Sequence, residues 1–385
     1  MREIYDVIVV GGGMAGLSTA YHLAQRGART LVLEAGDLGG GTSAACSGRA
    51  QVSEGHLDPL NLRLVRDGLA RFETLEEQLG TPFEWRRVGY LCLINSQSLW
   101  QDWEERARLL SSASIPVEML DLDELRSAEP YLDARGFLGA AYSLEGLLNP
   151  FLFCRAYAKA ARRSGAVLRP HSPVTAITRQ GSRVKTVQAK GRHYAAERVA
   201  IMCGPWTRRV VALARADLPI HHTHAEAFVT EPTSLPLHHT IGLADFYETI
   251  HGRARAVSVG FTRHLDGALV VTEAVTQSDQ LHRHTSPWGL GRIAAGLVAL
   301  YPELARTRVV RGWGIPTPYT PDDEPVIGWL PGWDNLFVAA GFLLTITALP
   351  LLSEWMAQMI LDEALPVALD LYSPSRFSGT RSSSH

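Results

Sequence analysis

The stretch Tyr5–Glu34, YDVIVVGGGMAGLSTAYHLAQRGARTLVLE, decides the fold. An apolar run from Val7 leads into a glycine-rich turn, and an alanine- and leucine-bearing helical pattern follows and stops at Gly27. A second apolar run, Thr30–Leu33, ends at the acidic Glu34. Strand, tight turn, helix, strand and terminal carboxylate together predict a complete βαβ unit of the dinucleotide-binding type.

Three glycines of this turn each have a physical task. Gly11 permits the tight turn, Gly13 lets the backbone approach a pyrophosphate, and Gly16 lets the helix pack closely on the strand. The free N–H groups at the helix N-terminus attract phosphate, and we expect Glu34 to accept hydrogen bonds from an adenosine ribose. A merely glycine-rich turn is the weaker alternative, because the strands, the helix and the acid accompany the glycines.

Length, charge and cysteine spacing limit the class of protein. The chain of 385 residues has room for about two domains. Its 37 basic and 39 acidic residues are spread along the chain, so it lacks the basic surface that nucleic acid binding needs. The N-terminus enters a strand without a basic and apolar leader, and the cysteines never form CxxC. We therefore expect reduced thiols in a cytoplasmic protein.

One apolar segment has the length of a membrane span. Leu336–Ser353 carries no charge, but it contains Gly341 and Pro350 together with hydroxyl side chains. We interpret Val338–Gly341 as a buried strand that leads into a loop and a helix. A membrane span is the disfavoured alternative.

The remaining segments alternate between helical and extended patterns. The small residues of Gly36–Gly48, GDLGGGTSAACSG, indicate a loop that passes close to another group. Helical spacing predicts helices over Asp58–Leu79 and Pro150–Gly165, and two short helices near 95–130. Short strands then lead to Cys203–Trp206, CGPW, a second place where backbone can approach a flat ligand. This alternation predicts two interleaved domains.

Taken in order, these motifs resemble those of the FAD-dependent oxidoreductases of the D-amino-acid oxidase type, which include glycine oxidase, monomeric sarcosine oxidase and D-amino-acid dehydrogenase. TPDDEPVIG at Thr320–Gly328, LFVAAGF at Leu336–Phe342 and YSPSRF at Tyr372–Phe377 extend the resemblance over nearly the whole chain. Within the group the sequence looks most like the smaller flavoprotein subunit of opine oxidases and of hydroxyproline and proline dehydrogenase complexes.

The resemblance implies an α/β fold in which a Rossmann-type FAD-binding domain is interleaved with a β-rich α+β substrate domain. We expect the FAD-binding domain to comprise residues 1–85, 146–217 and 313–372. The substrate domain is then formed by residues 86–145 and 218–312, and residues 373–385 form a frayed C-terminal tail.

The resemblance also implies FAD, and not a nicotinamide, as the bound nucleotide. The GLGRIAAG stretch at 289–296 follows Pro287-Trp288 without a preceding strand, so we interpret it as a plain helix. A helix expected near Thr345 directs its N-terminus at the flavin pyrimidine ring, where a positive dipole stabilises the anionic reduced flavin. The residues expected to contact FAD are Gly11, Gly13, Met14, Ala15, Gly16, Glu34, Ala35, Gly41, Thr42, Ser43, Gly48, Val174, Cys203, Gly204, Trp206, Gly341, Leu343, Leu344 and Thr345.

Two departures from the family pattern concern the substrate. Glycine oxidase and D-amino-acid oxidase have a carboxylate-binding arginine three residues before the TPD triplet, where this chain has Thr317. Sarcosine oxidase and its relatives have a basic residue after the last glycine motif, where this chain has Phe342. A substrate carboxylate therefore needs another partner here, and the usual charge for activating oxygen is absent.

Arg49 is the first candidate for that partner, because it lies just past the flavin loop; a surface arginine is the alternative. Gln51 and His56 share this neighbourhood. Arg263 is the second candidate, with a solvated turn as the alternative, and Trp313 ends a strand that approaches the flavin, where core packing is the alternative. The histidine clusters have no accompanying cysteine or carboxylate pattern, so we expect no metal site.

The expected reaction is FAD-dependent oxidation of the C–N bond of an amino-acid-like amine, such as an opine or a cyclic imino acid. Hydride transfer to flavin N5 gives an imine that hydrolyses, and we expect a second redox subunit to take the electrons. A stand-alone oxidase that uses oxygen and a non-catalytic subunit that only relays electrons remain as alternatives.

Overall fold

The computed structural model describes residues 3–246, 254–278, 280–342 and 346–378. Two large sheets organise these residues. In chain order the strands are β1 (Glu3–Val10), β2 (Thr30–Leu33), β3 (Arg49–Ala50), β4 (Arg86–Ile94), β5 (Val117–Asp121), β6 (Gly139–Leu147), β7 (Val167–Arg169), β8 (Val174–Gln180), β9 (Arg183–Ala189), β10 (Arg192–Ile201), β11 (His221–Thr230), β12 (Thr240–Leu243), β13 (Arg255–Arg263), β14 (Leu269–Gln277), β15 (Val309–Tyr319), β16 (Val326–Trp329) and β17 (Leu336–Ala340).

The helices cover the faces and the ends of these sheets. In chain order they are α1 (Met14–Gln25), α2 (Thr42–Ala45), α3 (Pro59–Leu79), α4 (Gln97–Ser112), α5 (Leu122–Ala128), α6 (Pro150–Arg163), α7 (Thr207–Ala212), α8 (Pro287–Leu300) and α9 (Leu349–Ile360).

The first sheet has the strand order β16-β17-β10-β1-β2-β7, with the β8–β9 hairpin attached to β10. Strand β1 runs parallel to both β10 and β2, which is the arrangement that the βαβ pattern predicts. Alternate residues of β1 serve different cores: Val7 and Val9 pack on the side of α9, and Ile8 and Val10 pack on the opposite side. The mixed α/β architecture predicted from the sequence is confirmed.

The second sheet has the order β15-β11-β14-β13-β12-β4-β6-β3, and β5 pairs with β6. Its neighbouring strands are antiparallel except for the parallel pair β4 and β12. One face packs against α8, where Ile293 and Leu297 meet Phe228, Phe261 and Val271 in one buried cluster. The other face borders the cavity described below.

Two of the predicted helices begin directly after a residue that caps them. The predicted helix Asp58–Leu79 begins after Asp58, whose carboxylate accepts hydrogen bonds from the N–H groups of Leu60 (3.0 Å) and Asn61 (3.1 Å). The predicted plain helix at 289–296 is part of α8, which Ser286 caps. Near 95–130 the two predicted helices are present, but strand β5 lies between them.

The uncharged segment Leu336–Ser353 divides into β17, a connection and the start of α9. Among the helices in the described ranges, none has both the length and the apolar character that crossing a membrane requires. The strand predicted over Val338–Gly341 begins earlier than expected and spans Leu336–Ala340.

The division into domains stays a proposal, and the two sheets give it a physical basis. Most strands of the FAD-binding segments 1–85, 146–217 and 313–372 lie in the first sheet. Strand β3 and the part of β15 from Trp313 onward also belong to these segments, but both strands lie in the second sheet. Part of the expected tail is packed: Pro374–Phe377 forms a short 3-10 helix, and Arg376 pairs with Asp322 at 2.7 Å. Residues 379–385 lie outside the described residues.

Candidate active site

A cavity of about 1120 Å³ lies between the two sheets. Val10, Leu33 and Met202 line it where β1, β2 and β10 end, so it sits at the carboxyl edge of the first sheet. The opposite wall includes Phe261 of β13 and Ile315 of β15 in the second sheet. The carboxyl edge of a parallel sheet is where dinucleotides bind in this architecture.

The glycine turn is packed so tightly that side chains do not fit at two of its positions. Gly11 has a φ of +112°, and a Cβ there would lie 2.2 Å from the carbonyl oxygen of Met202. A Cβ on Gly16 would lie 2.0 Å from the carbonyl oxygen of Gly11. Gly13 differs, because a Cβ added there would meet only Ser43 Oγ, at 3.0 Å, and would otherwise face the cavity. The turn therefore presents bare backbone to a ligand.

Glu34 is oriented by backbone donors on both sides. Its Oε2 accepts a hydrogen bond from Gly12 N at 2.6 Å, and its Oε1 accepts one from Gly36 N at 2.7 Å. Each carboxylate oxygen keeps a further acceptor position, and Glu34 lines the cavity. This arrangement fits the two hydroxyls of an adenosine ribose.

Most of the residues expected to contact FAD border this cavity. Gly16 supports the turn from behind, and Gly48 and Gly341 have φ values of +80° and +74° in loops beside it. Leu343, Leu344 and Thr345 lie outside the described residues; the helix that follows them begins at Leu349. The expected residues that line the cavity are Gly11, Gly13, Met14, Ala15, Glu34, Ala35, Gly41, Thr42, Ser43, Val174, Cys203, Gly204 and Trp206.

Arg49 lines the cavity, but two carboxylates already surround its guanidinium group. It forms an ion pair with Glu54, and its Nε lies 2.7 Å from Oε2 of Glu145, close enough for an ion pair although the angle is poor for a hydrogen bond. Burial acts to lower the pKa of Arg49, and the two carboxylates outweigh it and raise that pKa. The guanidinium carbon also lies 3.7 Å from the ring centre of Tyr90, which donates a hydrogen bond to Glu54.

Of the other substrate candidates, Gln51 and Trp313 line the cavity, and His56 and Arg263 lie away from it. Gln51 lines the cavity and donates a hydrogen bond to Glu54 at 2.8 Å. Trp313 also lines it, and its indole N–H is fixed by the carbonyl oxygen of Ala45 at 3.0 Å. His56 and Arg263 are absent from the described cavity wall: His56 lies 3.7 Å from Glu324, and Arg263 donates to Thr233 O at 3.5 Å.

Several charged residues that line the cavity were not identified from the sequence, and Glu226, Glu273 and Arg283 are among them. Glu226 and Glu273 interrupt apolar strands, which is a signal that could have identified them. Arg283 had no such signal, since it lies in a connection before α8, where its guanidinium carbon is 5.6 Å from the ring centre of Trp206. Its place depends on tertiary structure alone.

Two cysteine side chains also line the cavity. Cys46 and Cys203 line it as free cysteines, and burial raises the pKa of Cys46 to about 11. A thiol with that pKa stays protonated at neutral pH. Within the described part of the chain, no three His, Cys, Asp or Glu side chains are grouped closely enough to hold a metal ion.

Comparison with known proteins places the chain in one family. The model of the DAO family, FAD dependent oxidoreductase, matches residues 6–359, and the chain belongs to this family. The chain is 28% identical over 369 residues to a glycine oxidase of Bacillus licheniformis, with 94% of each covered. It is 25% identical to sarcosine oxidase subunit beta of Arthrobacter sp, covering 89% of this chain and 83% of that protein.

A solved structure shows the same fold over the whole length. The crystal structure of L-proline dehydrogenase from P. horikoshii superposes with a TM-score of 0.87 at 21% identity, covering 98% of this chain and 99% of that one. The protein is thus an FAD-dependent oxidoreductase. Its glycine turn and Glu34 fit the pyrophosphate and ribose of the cofactor, and the wall formed by the second sheet remains for a substrate.

Proposed function

We propose that this protein oxidises the C–N bond of an amino-acid-like amine, most suitably a secondary amine such as an opine or a cyclic imino acid. The observation that carries the proposal is one continuous cavity. In it the cradle for FAD, formed by the glycine turn Gly11–Gly16 and Glu34, continues directly to the wall of the second sheet. Relatives named glycine oxidase and sarcosine oxidase subunit beta support an amine substrate.

The protein supplies position and environment for the reaction. When bound, FAD supplies the hydride acceptor, and the oxidised substrate leaves as an imine that water hydrolyses. Ile315 and Trp313 give the substrate wall an apolar surface that excludes water. The hydrogen bond from Trp313 to Ala45 O holds the indole in one orientation and so fixes the shape of that wall.

The partner of a substrate carboxylate is a separate part of the proposal. Arg49 would serve a third carboxylate only if Glu54 or Glu145 carried a proton, since one guanidinium group faces both. Burial does raise the pKa of Glu145, but Arg49 opposes that shift. Arg283 lines the same cavity, is exposed and forms no described ion pair with a carboxylate, so the geometry favours it over Arg49.

The electron acceptor, either a second redox subunit or oxygen, is another part of the proposal. Phe342 lines the cavity where some relatives place a basic residue, which favours slow reaction with oxygen and transfer to a second redox subunit. The relation to a protein named as a beta subunit agrees with such a partner. The stand-alone oxidase is the second candidate function, because the glycine oxidase relative matches over 94% of its own length.

The product test is steady-state turnover of purified holoenzyme with secondary and primary amino acids. We expect carbonyl and amine groups in equal amounts, on two product molecules from an open-chain amine and on one from a cyclic imino acid. They should form faster with an artificial dye acceptor than with oxygen. Hydrogen peroxide formed as fast as the dye is reduced would favour the stand-alone oxidase. Reduction of the dye by amines without a carbonyl product would contradict C–N oxidation.

A further inference from the structure

Glu273 occupies an irregular position in the middle of β14. In the pairing with β11, Glu226 faces Ala274 and Ala227 faces Thr272, so the register passes over Glu273. The pairing with β13 shifts at the same place. A bulge redirects the side chain of the residue that is left over, and Glu273 lines the cavity.

The carboxylate of Glu273 has no counter-charge of its own. Within residues 3–246, 254–278, 280–342 and 346–378 it takes part in no hydrogen bond and no ion pair, and burial alone raises its pKa to about 7. Glu226, its neighbour on the cavity wall, contrasts with it, because both oxygens of Glu226 accept hydrogen bonds from Ser286, at 2.6 and 2.7 Å. The carboxylate of Glu226 therefore has hydrogen-bond donors, and the carboxylate of Glu273 has none among the described residues.

A half-buried carboxylate without a partner stabilises any cation that reaches it. Removing a carboxylate from water is unfavourable unless a positive charge or several hydrogen-bond donors compensate. Arg49, the buried cation on the same wall, is held between Glu54 and Glu145. An amine of ordinary basicity enters the cavity as an ammonium ion at neutral pH. It carries the charge that Glu273 lacks.

We propose that Glu273 is the counter-ion for the positively charged nitrogen of the substrate. The inference rests on the proposed amine oxidation and makes it more specific: the enzyme selects amines that are cationic when they bind, and it binds the nitrogen through the second sheet. The bound ammonium ion gives a proton to water before the hydride leaves, because a nitrogen without a lone pair cannot form the imine. Recognition of the nitrogen and recognition of the carboxylate then belong to different side chains, Glu273 and Arg283.

The test compares two ligands that differ in one charge. Trimethylglycine has a quaternary nitrogen and no lone pair, so it resists oxidation, and 3,3-dimethylbutanoate has carbon in place of that nitrogen. Dissociation constants are measured from the change in flavin absorbance of the oxidised holoenzyme. We expect the wild type to bind trimethylglycine about tenfold or more tightly than its neutral-carbon counterpart, since the cation meets an unpaired carboxylate of low solvent exposure.

Three variants make the test specific. Glu273→Gln keeps the shape and removes the charge, so the preference for trimethylglycine falls at least about tenfold. Glu273→Asp keeps the charge and retains most of the preference. Glu118→Gln, a matched loss of an exposed carboxylate on β5 of the same sheet, leaves the preference unchanged.

Two results would overturn the assignment, and one separates it from the proposed function. A wild type that binds both ligands equally contradicts it without any variant. An unchanged preference in Glu273→Gln contradicts it as well, even if amines reduce the flavin. Loss of the preference in Glu273→Gln supports the counter-ion, even if no amine reduces the flavin and the proposed reaction is therefore wrong.

Discussion

The cradle for FAD and the wall for the substrate are built from the chain in different ways. The cradle comes from neighbouring segments, and it uses backbone: Gly11 and Gly16 leave no room for side chains, and Glu34 is fixed by two N–H groups. The wall comes from strands and a connection distant in sequence, and it uses side chains such as Glu273 on β14 and Arg283 before α8. A site built from the backbone of neighbouring residues can therefore be predicted from a sequence. A site built from side chains that only the fold brings together cannot.

The largest expected effect tests the backbone character of the cradle. Gly16→Leu places a side chain where a Cβ alone would lie 2.0 Å from Gly11 O, and Gly13→Val fills the space of the pyrophosphate. We expect both variants to be purified without FAD, measured as the ratio of flavin to protein absorbance. Gly291→Ala is the control, because no atom lies within 4 Å of a Cβ there. Full flavin content in either cradle variant would contradict the assignment.

The second effect tests whether Arg49 belongs to the framework of the wall. Arg49→Met leaves Glu54 and Glu145 buried without their cation, so we expect the free energy of unfolding to fall by about 3–5 kcal/mol. Urea denaturation measures this. Arg283→Met is the comparison and should change stability by less than about 0.5 kcal/mol, because Arg283 is exposed.

In catalysis we expect the larger effect from replacing Arg283, and not from replacing Arg49. Arg283→Met should raise KM for an amino-acid substrate about tenfold or more and leave the FAD content intact, because a charged hydrogen-bond partner of the carboxylate is lost. Arg292→Met, an exposed change on α8, is the control. If Arg49→Lys raises KM about tenfold or more while Arg283→Met leaves it normal, Arg49 is the anchor after all.

Replacing Glu34 should weaken FAD binding by roughly 1–3 kcal/mol. In Glu34→Gln the amide NH₂ faces Gly12 N or Gly36 N, so one acceptor of a backbone N–H is lost as well as the charge. Equilibrium titration of apoprotein with FAD measures the change. Asp123→Asn on α5, whose carboxylate side chain is 91% exposed, should change FAD affinity little.

The last effect concerns pH. The folded-state pKa of Glu273 is raised to about 7 by burial, above the value of about 4.3 in an unfolded chain, so the folded state binds more protons between these values. The contribution of Glu273 to the free energy of unfolding therefore falls as pH rises from about 4.3 to about 7. Wild type minus Glu273→Gln isolates this contribution, and a difference that stays constant over this pH range would contradict it.

These contrasts explain how far the sequence could be interpreted. The spacing of glycines and apolar residues identified the dinucleotide-binding βαβ unit and the plain helix at 289–296, because each depends on neighbouring residues. The choice of FAD came from the family resemblance. Strand β5 was missed because five residues, VEMLD, carry little periodicity, and their pairing with β6 is tertiary. The pairing of Arg49 with Glu145 joins residues that only the fold of the second sheet brings together.

Anaerobic reduction of the flavin tests most directly whether amines give their electrons to FAD in this cavity. Holoenzyme without oxygen and without any partner is mixed with a panel of secondary and primary amino acids while the flavin absorbance is followed. We expect at least one secondary amine to bleach the flavin completely, at a rate that saturates with the amine concentration. A flavin that stays oxidised with every amine but is reduced by dithionite would contradict the claim.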